Sequence, residues 1–161
     1  MIALIQRVRE ASVRVEGELI GAIELGLLAL IGVVRGDDGA SAERLLQRVL
    51  DYRVFPDPQG RMNLSLRDIQ GGLLLVPQFT LAADTRSGNR AGFSTAAEPA
   101  QAAALFEHLL RGARSLHARV ECGRFGAHMQ VALVNDGPVT FWLESRSTPS
   151  AVIPPLGHDT P

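Results

Sequence analysis

The sequence predicts a mixed α/β fold: a single compact domain of about eight strands in layered or barrel-like sheets, with two main helices. Three observations lead to this prediction. Apolar residues alternate, or run unbroken, over strand-like lengths, and two other segments carry the apolar stripe of a helix. The 161 residues, 46% of them hydrophobic, suffice for one well-filled core. We expect the domain to span residues 1–144 and a proline-rich tail to follow at residues 145–161.

The first third of the chain predicts three strands and a helix. Residues 2–16 alternate between apolar and polar side chains, and residues 19–23 are expected to return antiparallel. Residues 26–34 are nearly all apolar, as in a strand buried on both faces. A helix with one apolar face is expected over residues 41–52, with Ser41 as its N-cap.

The middle of the chain predicts short strands and one long loop. Residues 54–55 and 62–66 read as short strands, and residues 73–76 as a second strand buried on both faces. Pro77 is expected to mark the end of that strand or an exposed edge. Residues 82–97 show no period, and a loop of this length is usually functional or disordered.

The last third predicts the second helix and a turn between two apolar runs. Pro99 suits the first turn of a helix that ends near residues 112–116, and a short strand at Val120 follows. Asp136-Gly137 lies between apolar runs, which favours a hairpin. Because Pro138 comes next, this turn is either an ordinary tight turn or a rigid elbow that aims backbone groups.

Composition excludes several classes of protein. The net charge of −1 shows no basic excess, so an RNA partner would have to be bound locally; all 16 basic residues are arginine. One cysteine, Cys122, rules out an internal disulfide. The N-terminal residues do not resemble a signal peptide, and the longest apolar stretch is too short to span a bilayer. We therefore expect a cytoplasmic protein.

The sequence contains no standard catalytic constellation. Its four histidines lack the spacing of a helical metal site, and neither a phosphate loop nor a dinucleotide motif is present. We therefore expect neither metal nor cofactor. His108 reads as a surface residue, and Cys122 as a small core residue rather than a nucleophile. An enzyme built on this chain would have to use backbone groups, a hydroxyl such as that of Thr80, or a group of the substrate.

Four segments together resemble the D-aminoacyl-tRNA deacylases. They are residues 1–8, residues 78–85 (Gln-Phe-Thr-Leu-Ala-Ala-Asp-Thr), residues 123–127 (Gly-Arg-Phe-Gly-Ala) and residues 135–140 (Asn-Asp-Gly-Pro-Val-Thr). The likeness covers residues 1–144 in order, and the second and fourth segments are specific in combination.

The resemblance implies a homodimer that hydrolyses the ester between a D-amino acid and the 3′ end of tRNA, and that also removes mischarged glycine. It implies a cis Gly137–Pro138 bond, with this dipeptide reaching into the partner's active site to reject L-amino acids. Gln78, Phe79 and Thr80 would line the pocket, with backbone N–H groups near Phe79 and Thr80 as an oxyanion hole. The tRNA 2′-OH would help to activate water.

Further residues are assigned with open alternatives. Met129 would pack the terminal adenine or simply fill the core, and Thr80 would hold water or substrate or be a strand threonine bound to a neighbour. Phe93 belongs to the substrate-binding set, and Arg7 is a candidate contact to RNA, as is Arg86.

The chain departs from the family pattern at three places. Pro77 replaces a common serine, which removes any mechanism that needs that hydroxyl. Ala91-Gly92 replaces Pro-Ser, which predicts a looser loop, and His128 stands where an acidic residue is usual. Two alternatives remain: a non-catalytic dimeric module that binds RNA ends, and an amidase dependent on Thr80 or Cys122.

Overall fold

A computed structural model describes residues 1–145 and shows a mixed α/β domain with eight strands, as predicted. The strands are β1 (Ile2–Val15), β2 (Glu18–Ile23), β3 (Gly26–Gly32), β4 (Phe55–Pro56), β5 (Met62–Leu64), β6 (Gly72–Pro77), β7 (Val120–Cys122) and β8 (Met129–Glu144). The helices are α1 (Gly39–Asp51), α2 (Leu66–Ile69) and α3 (Pro99–Leu116), and a 3₁₀ segment spans Phe79–Ala82.

Six strands form one strongly curved sheet around β1. Three strands pair antiparallel with β1: β8 runs along one edge, and the other edge pairs with β3 at residues 2–8 and with β2 at residues 11–15. From β3 the sheet continues through β6 to β7, and these three strands are parallel to one another. The outer strands β2 and β7 approach each other, since a Cβ on Gly21 would stand 3.0 Å from the carbonyl oxygen of Cys122. The sheet is therefore a nearly closed barrel, as the predicted barrel-like arrangement requires.

The two faces of this sheet bury two separate cores. Leu27 and Leu75 pack with α1 and α3 in the core on the helix side, whereas Leu28 and Leu74 pack with Val13 inside the barrel. Consecutive residues of β3 and β6 thus enter different cores. This confirms the prediction, made from their unbroken apolar runs, that both strands are buried on both faces.

The expected hairpin at residues 128–143 is wrong: both apolar runs belong to the single strand β8. Val8 of β1 pairs with Asn135 and Gln6 with Thr140, so β8 contains three extra residues at this point. We call residues 135–139 the β8 bulge. Asn135 closes it, because its side-chain oxygen accepts the N–H of Val139 at 2.8 Å, and pairing with β1 then resumes.

Two other local predictions are wrong, and side-chain caps explain both. Asp38, not Ser41, is the N-cap of α1: its carboxylate accepts the N–H of Ser41 at 2.7 Å, and the Ser41 hydroxyl accepts the N–H of Asp38. The strand predicted to reach Leu66 ends at Leu64, because Ser65 caps the short helix α2.

The chain ends of the described region meet in the core. The Met1 ammonium group binds the buried carboxylate of Asp37 at 2.5 Å and also donates to the carbonyl oxygen of Ser145. The predicted tail lies outside the described residues except for Ser145, which is buried. Within residues 1–145 no helix is long and apolar enough to cross a membrane.

Candidate active site

A cavity of about 450 Å³ opens where β6 ends. Its walls come from the end of β6 with the following residues, the start of α3, and the turn between β7 and β8. The lining residues are Val76, Pro77, Gln78, Phe79, Ala96, Ala97, Pro99, Ala102, Phe125, Gly126, Ala127, His128, Met129 and Val131. The predicted residues Gln78, Phe79 and Met129 therefore share one cavity, whose wall is mostly apolar.

Backbone donors are left free at the mouth of this cavity. The N–H of Gln78 still donates to the carbonyl of Ile31 at 2.7 Å, so the pattern of sheet hydrogen bonds continues to this residue. The 3₁₀ segment then begins without a side-chain cap. Within the described chain, neither the N–H of Phe79 nor that of Thr80 donates to a protein acceptor. The first turn of any helix leaves such donors unpaired, and here both residues are exposed.

The side chains of Gln78 and Thr80 are linked. The Gln78 amide donates to the Thr80 hydroxyl, which favours one orientation of both groups. The Thr80 side chain is exposed and still has a hydroxyl proton to donate. Thr80 lies beside the cavity rather than in its wall. Among residues 1–145 no basic side chain contacts its hydroxyl, so none is present there to activate it as a nucleophile.

The loop after the 3₁₀ segment brings Phe93 onto Phe79. Their ring centroids are 5.1 Å apart, and both residues are exposed, Phe79 by 60% and Phe93 by 44%. The backbones of Asp84 and Gly92 exchange two hydrogen bonds of 2.8 and 3.0 Å, which close the loop. Arg86 donates to the Asp84 carboxylate and, with its backbone N–H, holds the pKa of that carboxyl well below its ordinary value. Phe93 is thereby joined to the cavity through Phe79.

Met129 packs tightly against the turn that precedes β8. Its sulfur accepts the N–H of Arg124 at 3.3 Å, and a Cβ on Gly123 would stand only 2.8 Å from it. Glycine at position 123 therefore lets the methionine lie across the turn. The side chain is half-buried and still contributes to the cavity wall.

Gly137 and Pro138 form the exposed tip of the β8 bulge, and the peptide bond between them is cis. Neither residue lines the cavity of its own chain. Gly137 has φ of +137°, and a Cβ at this position would lie 2.6 Å from Cγ2 of Val139. Only glycine fits this backbone without rearrangement.

Arg7 supports the bulge and lies away from the cavity wall. Its guanidinium donates to the carbonyl of Asp136 at 3.0 Å and to the carbonyl of Val54, and it pairs with the Asp136 carboxylate at 3.2 Å. The Arg7 side chain is 12% exposed, whereas Arg9, which contacts the same carboxylate, is 69% exposed. The structure thus places Arg7 under the Gly137–Pro138 tip.

The predicted site did not include the part of the cavity wall that bears Phe125 and His128. Both lie in the turn between β7 and β8. The motif Gly123-Arg124-Phe125-Gly126 is the sequence signal for this turn. Nothing local in it shows that the turn folds over the end of β6, because this depends on β6 and β7 pairing as parallel neighbours.

Comparisons with known proteins agree over most of the chain. The profile of the D-Tyr-tRNA(Tyr) deacylase family matches residues 4–144. A D-aminoacyl-tRNA deacylase from Thioalkalivibrio sulfidiphilus (strain HL-EbGR7) is 68% identical over 144 residues, which are 89% of this chain and 97% of that protein. One from Stutzerimonas stutzeri (strain A1501) is 66% identical and covers 90% of this chain and 100% of its own length.

Solved structures agree in fold. The structure described as c-Myc DNA Unwinding Element Binding Protein superposes with a TM-score of 0.87 at 39% identity, covering 91% of this chain and 100% of that one. A probable eukaryotic D-amino acid tRNA deacylase, at 18% identity, shares the fold with a TM-score of 0.74, covering 89% of this chain and 98% of its own. The match of the family profile and the high identity to curated relatives show that this chain belongs to the D-aminoacyl-tRNA deacylase family of hydrolases.

Proposed function

We propose that this deacylase releases D-amino acids from the 3′ end of tRNA with the free N–H groups of Phe79 and Thr80 as its main catalytic device. This pair of unpaired donors at the mouth of the cavity is the observation that carries the proposal. Attack of water on the ester places negative charge on the former carbonyl oxygen. Backbone donors already aimed at that position stabilise the charge without reorganisation, and one such donor is worth about 3–4 kcal/mol of barrier.

Activation of the attacking water is assigned to the substrate. Within the described residues the cavity wall contains no carboxylate, and its one titratable side chain is that of His128. The 2′-OH of the terminal adenosine lies next to the ester in the substrate itself. We therefore assign it the task of orienting and activating the water, while Thr80 and Gln78 hold the water or the amino acid by hydrogen bonds.

Chiral selection is assigned to Gly137 and Pro138. Inverting the α-carbon exchanges the side chain with a hydrogen atom, so a rigid wall on one side rejects every L-residue whatever its identity. Backbone suits such a wall because it cannot rotate away as a side chain can. Glycine has no side chain to exclude, so the same wall predicts removal of glycine mischarged onto tRNA. Specificity then depends mainly on excluding the wrong substrate.

The position of the bulge supports a homodimer. Gly137 and Pro138 are exposed and lie outside their own cavity, so a wall made by them serves a cavity on a second copy. Among the described residues, β8 forms sheet hydrogen bonds only with β1, which leaves its other edge unpaired. Beside that edge lies an apolar row in which Trp142 pairs with Leu4, and Leu4 with Leu30. Trp142 is 48% exposed, as a residue covered by a partner would be.

The first experiment compares deacylation of D-Tyr-tRNA and L-Tyr-tRNA by the purified protein in a buffer without added metal. Because charged tRNA occurs where translation takes place, we assign the protein to the cytoplasm and to translation quality control. Release from the D-form alone is the expected result. Equal release from both forms would contradict the chiral wall, and binding without release would instead identify a non-catalytic module for RNA ends. Hydrolysis of a free D-aminoacyl ester at the same rate would contradict the assistance by tRNA.

The dimer is tested by placing a charge on the apolar row. Trp142→Glu is expected to give monomers in analytical ultracentrifugation and to lower deacylation at dilute enzyme, because two buried carboxylates would face the interface. Leu19→Glu is the matched control: Leu19 is equally exposed at 48% but lies on β2. A monomeric wild-type protein with full activity would contradict the shared site.

A further inference from the structure

The 3₁₀ segment that bears the free N–H groups of Phe79 and Thr80 is short, and its own hydrogen bonds are long. The N–H of Leu81 donates to the carbonyl of Gln78 at 3.2 Å, which is at the long end of the usual range. The N–H of Ala83 donates to the carbonyl of Thr80 at the same distance. Because a 3₁₀ turn has poorer hydrogen-bond geometry than an α-helix, contacts from outside must fix the direction of the free N–H groups.

The start of the 3₁₀ segment is anchored to β3. The N–H of Gln78 donates to the carbonyl of Ile31 at 2.7 Å. The segment also packs on the next residue of β3, because a Cβ on Gly32 would stand 3.0 Å from Cβ of Leu81 and 3.4 Å from the carbonyl oxygen of Gln78. Glycine at position 32 thus lets the segment lie directly against the end of β3.

The hydroxyl of Thr95 anchors the other end of the 3₁₀ segment. It donates to the carbonyl oxygen of Ala82, the last residue of the segment. Ala82 is only 3% exposed, so water has little access to this carbonyl. Within residues 1–145 the Thr95 hydroxyl is its one hydrogen-bond partner. Loss of the hydroxyl would therefore leave a buried acceptor unpaired.

The backbone of Thr95 is itself fixed to the chain that follows β3. Its carbonyl accepts the N–H of Arg35 at 2.9 Å. Two residues later, the N–H of Ala97 donates to the carbonyl of Val33 at 3.1 Å. Both anchors of the 3₁₀ segment thus lead back to β3 or to the residues directly after it.

We propose that Thr95 is a positioning residue for deacylation, which directs the free N–H groups of Phe79 and Thr80 by fixing the carbonyl of Ala82. This inference rests on the proposed function, because it takes these N–H groups as the oxyanion donors. Such donors act only when they are aimed at the developing charge, and a displacement of about 1 Å can cost about 10²-fold in rate. A segment anchored at both ends keeps its N–H groups in place, whereas one anchored at its start alone can turn.

Closure of the loop at residues 84–92 does not account for the Thr95 hydrogen bond. The backbones of Asp84 and Gly92 exchange two hydrogen bonds, and Arg86 binds the Asp84 carboxylate. These contacts close the loop before the chain reaches Thr95. The Thr95 hydroxyl therefore supports the 3₁₀ segment rather than the loop.

The test is single-turnover deacylation of D-Tyr-tRNA by Thr95→Val, which replaces the hydroxyl by a methyl group. Thr95 is exposed, so the fold should be retained, and thermal unfolding checks this. We expect the rate at saturating enzyme to fall about tenfold and the half-saturating concentration to change by less than about twofold. Thr95→Ser retains the hydroxyl and should restore the rate. Thr85→Val is the matched control, because the Thr85 hydroxyl makes no hydrogen bond within residues 1–145.

A double-mutant cycle separates positioning from general stabilisation. The second change replaces the amide before Thr80 by an ester, so that this N–H is already absent. In that protein Thr95→Val should lower the rate only about twofold further, because one of the donors that it positions is missing.

Equal factors in the two backgrounds would overturn the proposal, since a merely structural role lowers both rates alike. An unchanged saturated rate in Thr95→Val would also overturn it, as would a loss of affinity in place of a loss of rate. A wild-type protein that shows no deacylation would overturn the proposed function together with this inference, which is a distinguishable result.

Discussion

The 3₁₀ segment and the β8 bulge bear the two most important parts of the proposed site, yet they are held in opposite ways. In the 3₁₀ segment, the N–H groups of Phe79 and Thr80 have no partner within the described chain. In the bulge, Arg7, Arg9 and Asn135 all bind its backbone or its Asp136 carboxylate. The comparison separates two tasks: donors that act on a substrate must be left unsatisfied, whereas a wall that excludes a substrate must be held from several sides.

The largest effect is expected when one of the free N–H donors of the 3₁₀ segment is removed. Replacing the amide that precedes Thr80 by an ester, through incorporation of the α-hydroxy analogue of threonine, deletes the N–H and keeps the side chain. We expect a decrease in the single-turnover rate of about 10²–10³-fold with little change in stability. The same exchange at Ala83, whose N–H donates to the carbonyl of Thr80 at 3.2 Å, is the control. A rate within threefold of the wild type would exclude this N–H as an oxyanion donor.

The next largest effect is expected when one methyl group is added at Gly137, at the tip of the β8 bulge. Gly137→Ala combines a φ of +137° with a Cβ only 2.6 Å from Val139, so the bulge must rearrange. We expect the ratio of D-Tyr-tRNA to L-Tyr-tRNA deacylation to fall about 10–100-fold.

Gly60→Ala separates the backbone cost from the function. Gly60 also has a positive φ, +79°, but nothing lies within 4 Å of a Cβ placed there. This variant should lose some stability in thermal unfolding and retain full discrimination. If Gly137→Ala retains it too, the tip of the bulge is not the chiral wall.

The two arginines that bind Asp136 test how the bulge is braced. Arg7→Gln removes a largely buried guanidinium that also binds two carbonyl groups. We expect a loss of about 1–3 kcal/mol in the free energy of unfolding and a decrease in discrimination of about tenfold. Arg9→Gln removes an exposed partner of the same carboxylate and should change little. Urea unfolding measures the stability of both variants, and the ratio of D-Tyr-tRNA to L-Tyr-tRNA deacylation measures their discrimination. Equal effects of the two substitutions would contradict the expectation that the buried arginine matters more.

The smallest expected effect concerns the Thr80 hydroxyl. Thr80→Val removes the acceptor of the Gln78 amide and should reduce the rate about 3–10-fold, the equivalent of one hydrogen bond. Thr80→Ser should restore most of the rate. A complete loss of activity in the valine variant would contradict the backbone mechanism and favour one that depends on the hydroxyl.

The pattern of apolar residues predicted most of the sheet, because the burial of each strand determines that pattern. The alternation in β1 and the unbroken apolar runs of β3 and β6 were sufficient, since these strands lie between two cores. The hairpin failed for a physical reason: Asp136-Gly137 carries the same local signal in a turn as in a bulge. Only the pairing of β1 with both halves of β8 decides between them.

In the site, too, sequence motifs identified some residues, whereas contacts between residues far apart in the chain determine the rest. Gln78, Phe79 and Met129 were identified by resemblance, and the fold brings them to one cavity. The part of the cavity wall at Phe125 and His128 depends on the parallel pairing of β6 with β7. Likewise, Arg7 reads from the sequence as a free cation, and its contact with Asp136 spans 129 positions of sequence.

The β8 bulge also marks where one strand passes from one core to the other. Before it, Val131 and Leu133 pack against the core inside the barrel. Its last residue, Val139, and the following Phe141 and Leu143 pack in the core on the helix side. All five positions are odd-numbered, so an uninterrupted strand would point them to a single face.

β1 makes the matching change: Ala3 and Ile5 belong to the core on the helix side, whereas Ala11 and Val13 belong to the core inside the barrel, and its pairing with β8 is irregular between Val8 and Glu10. If β8 slipped by one residue on either side of the bulge, all the apolar side chains of that half would therefore move from the core to the solvent-facing side. Packing in the two cores therefore fixes the position of Gly137 and Pro138 along the strand.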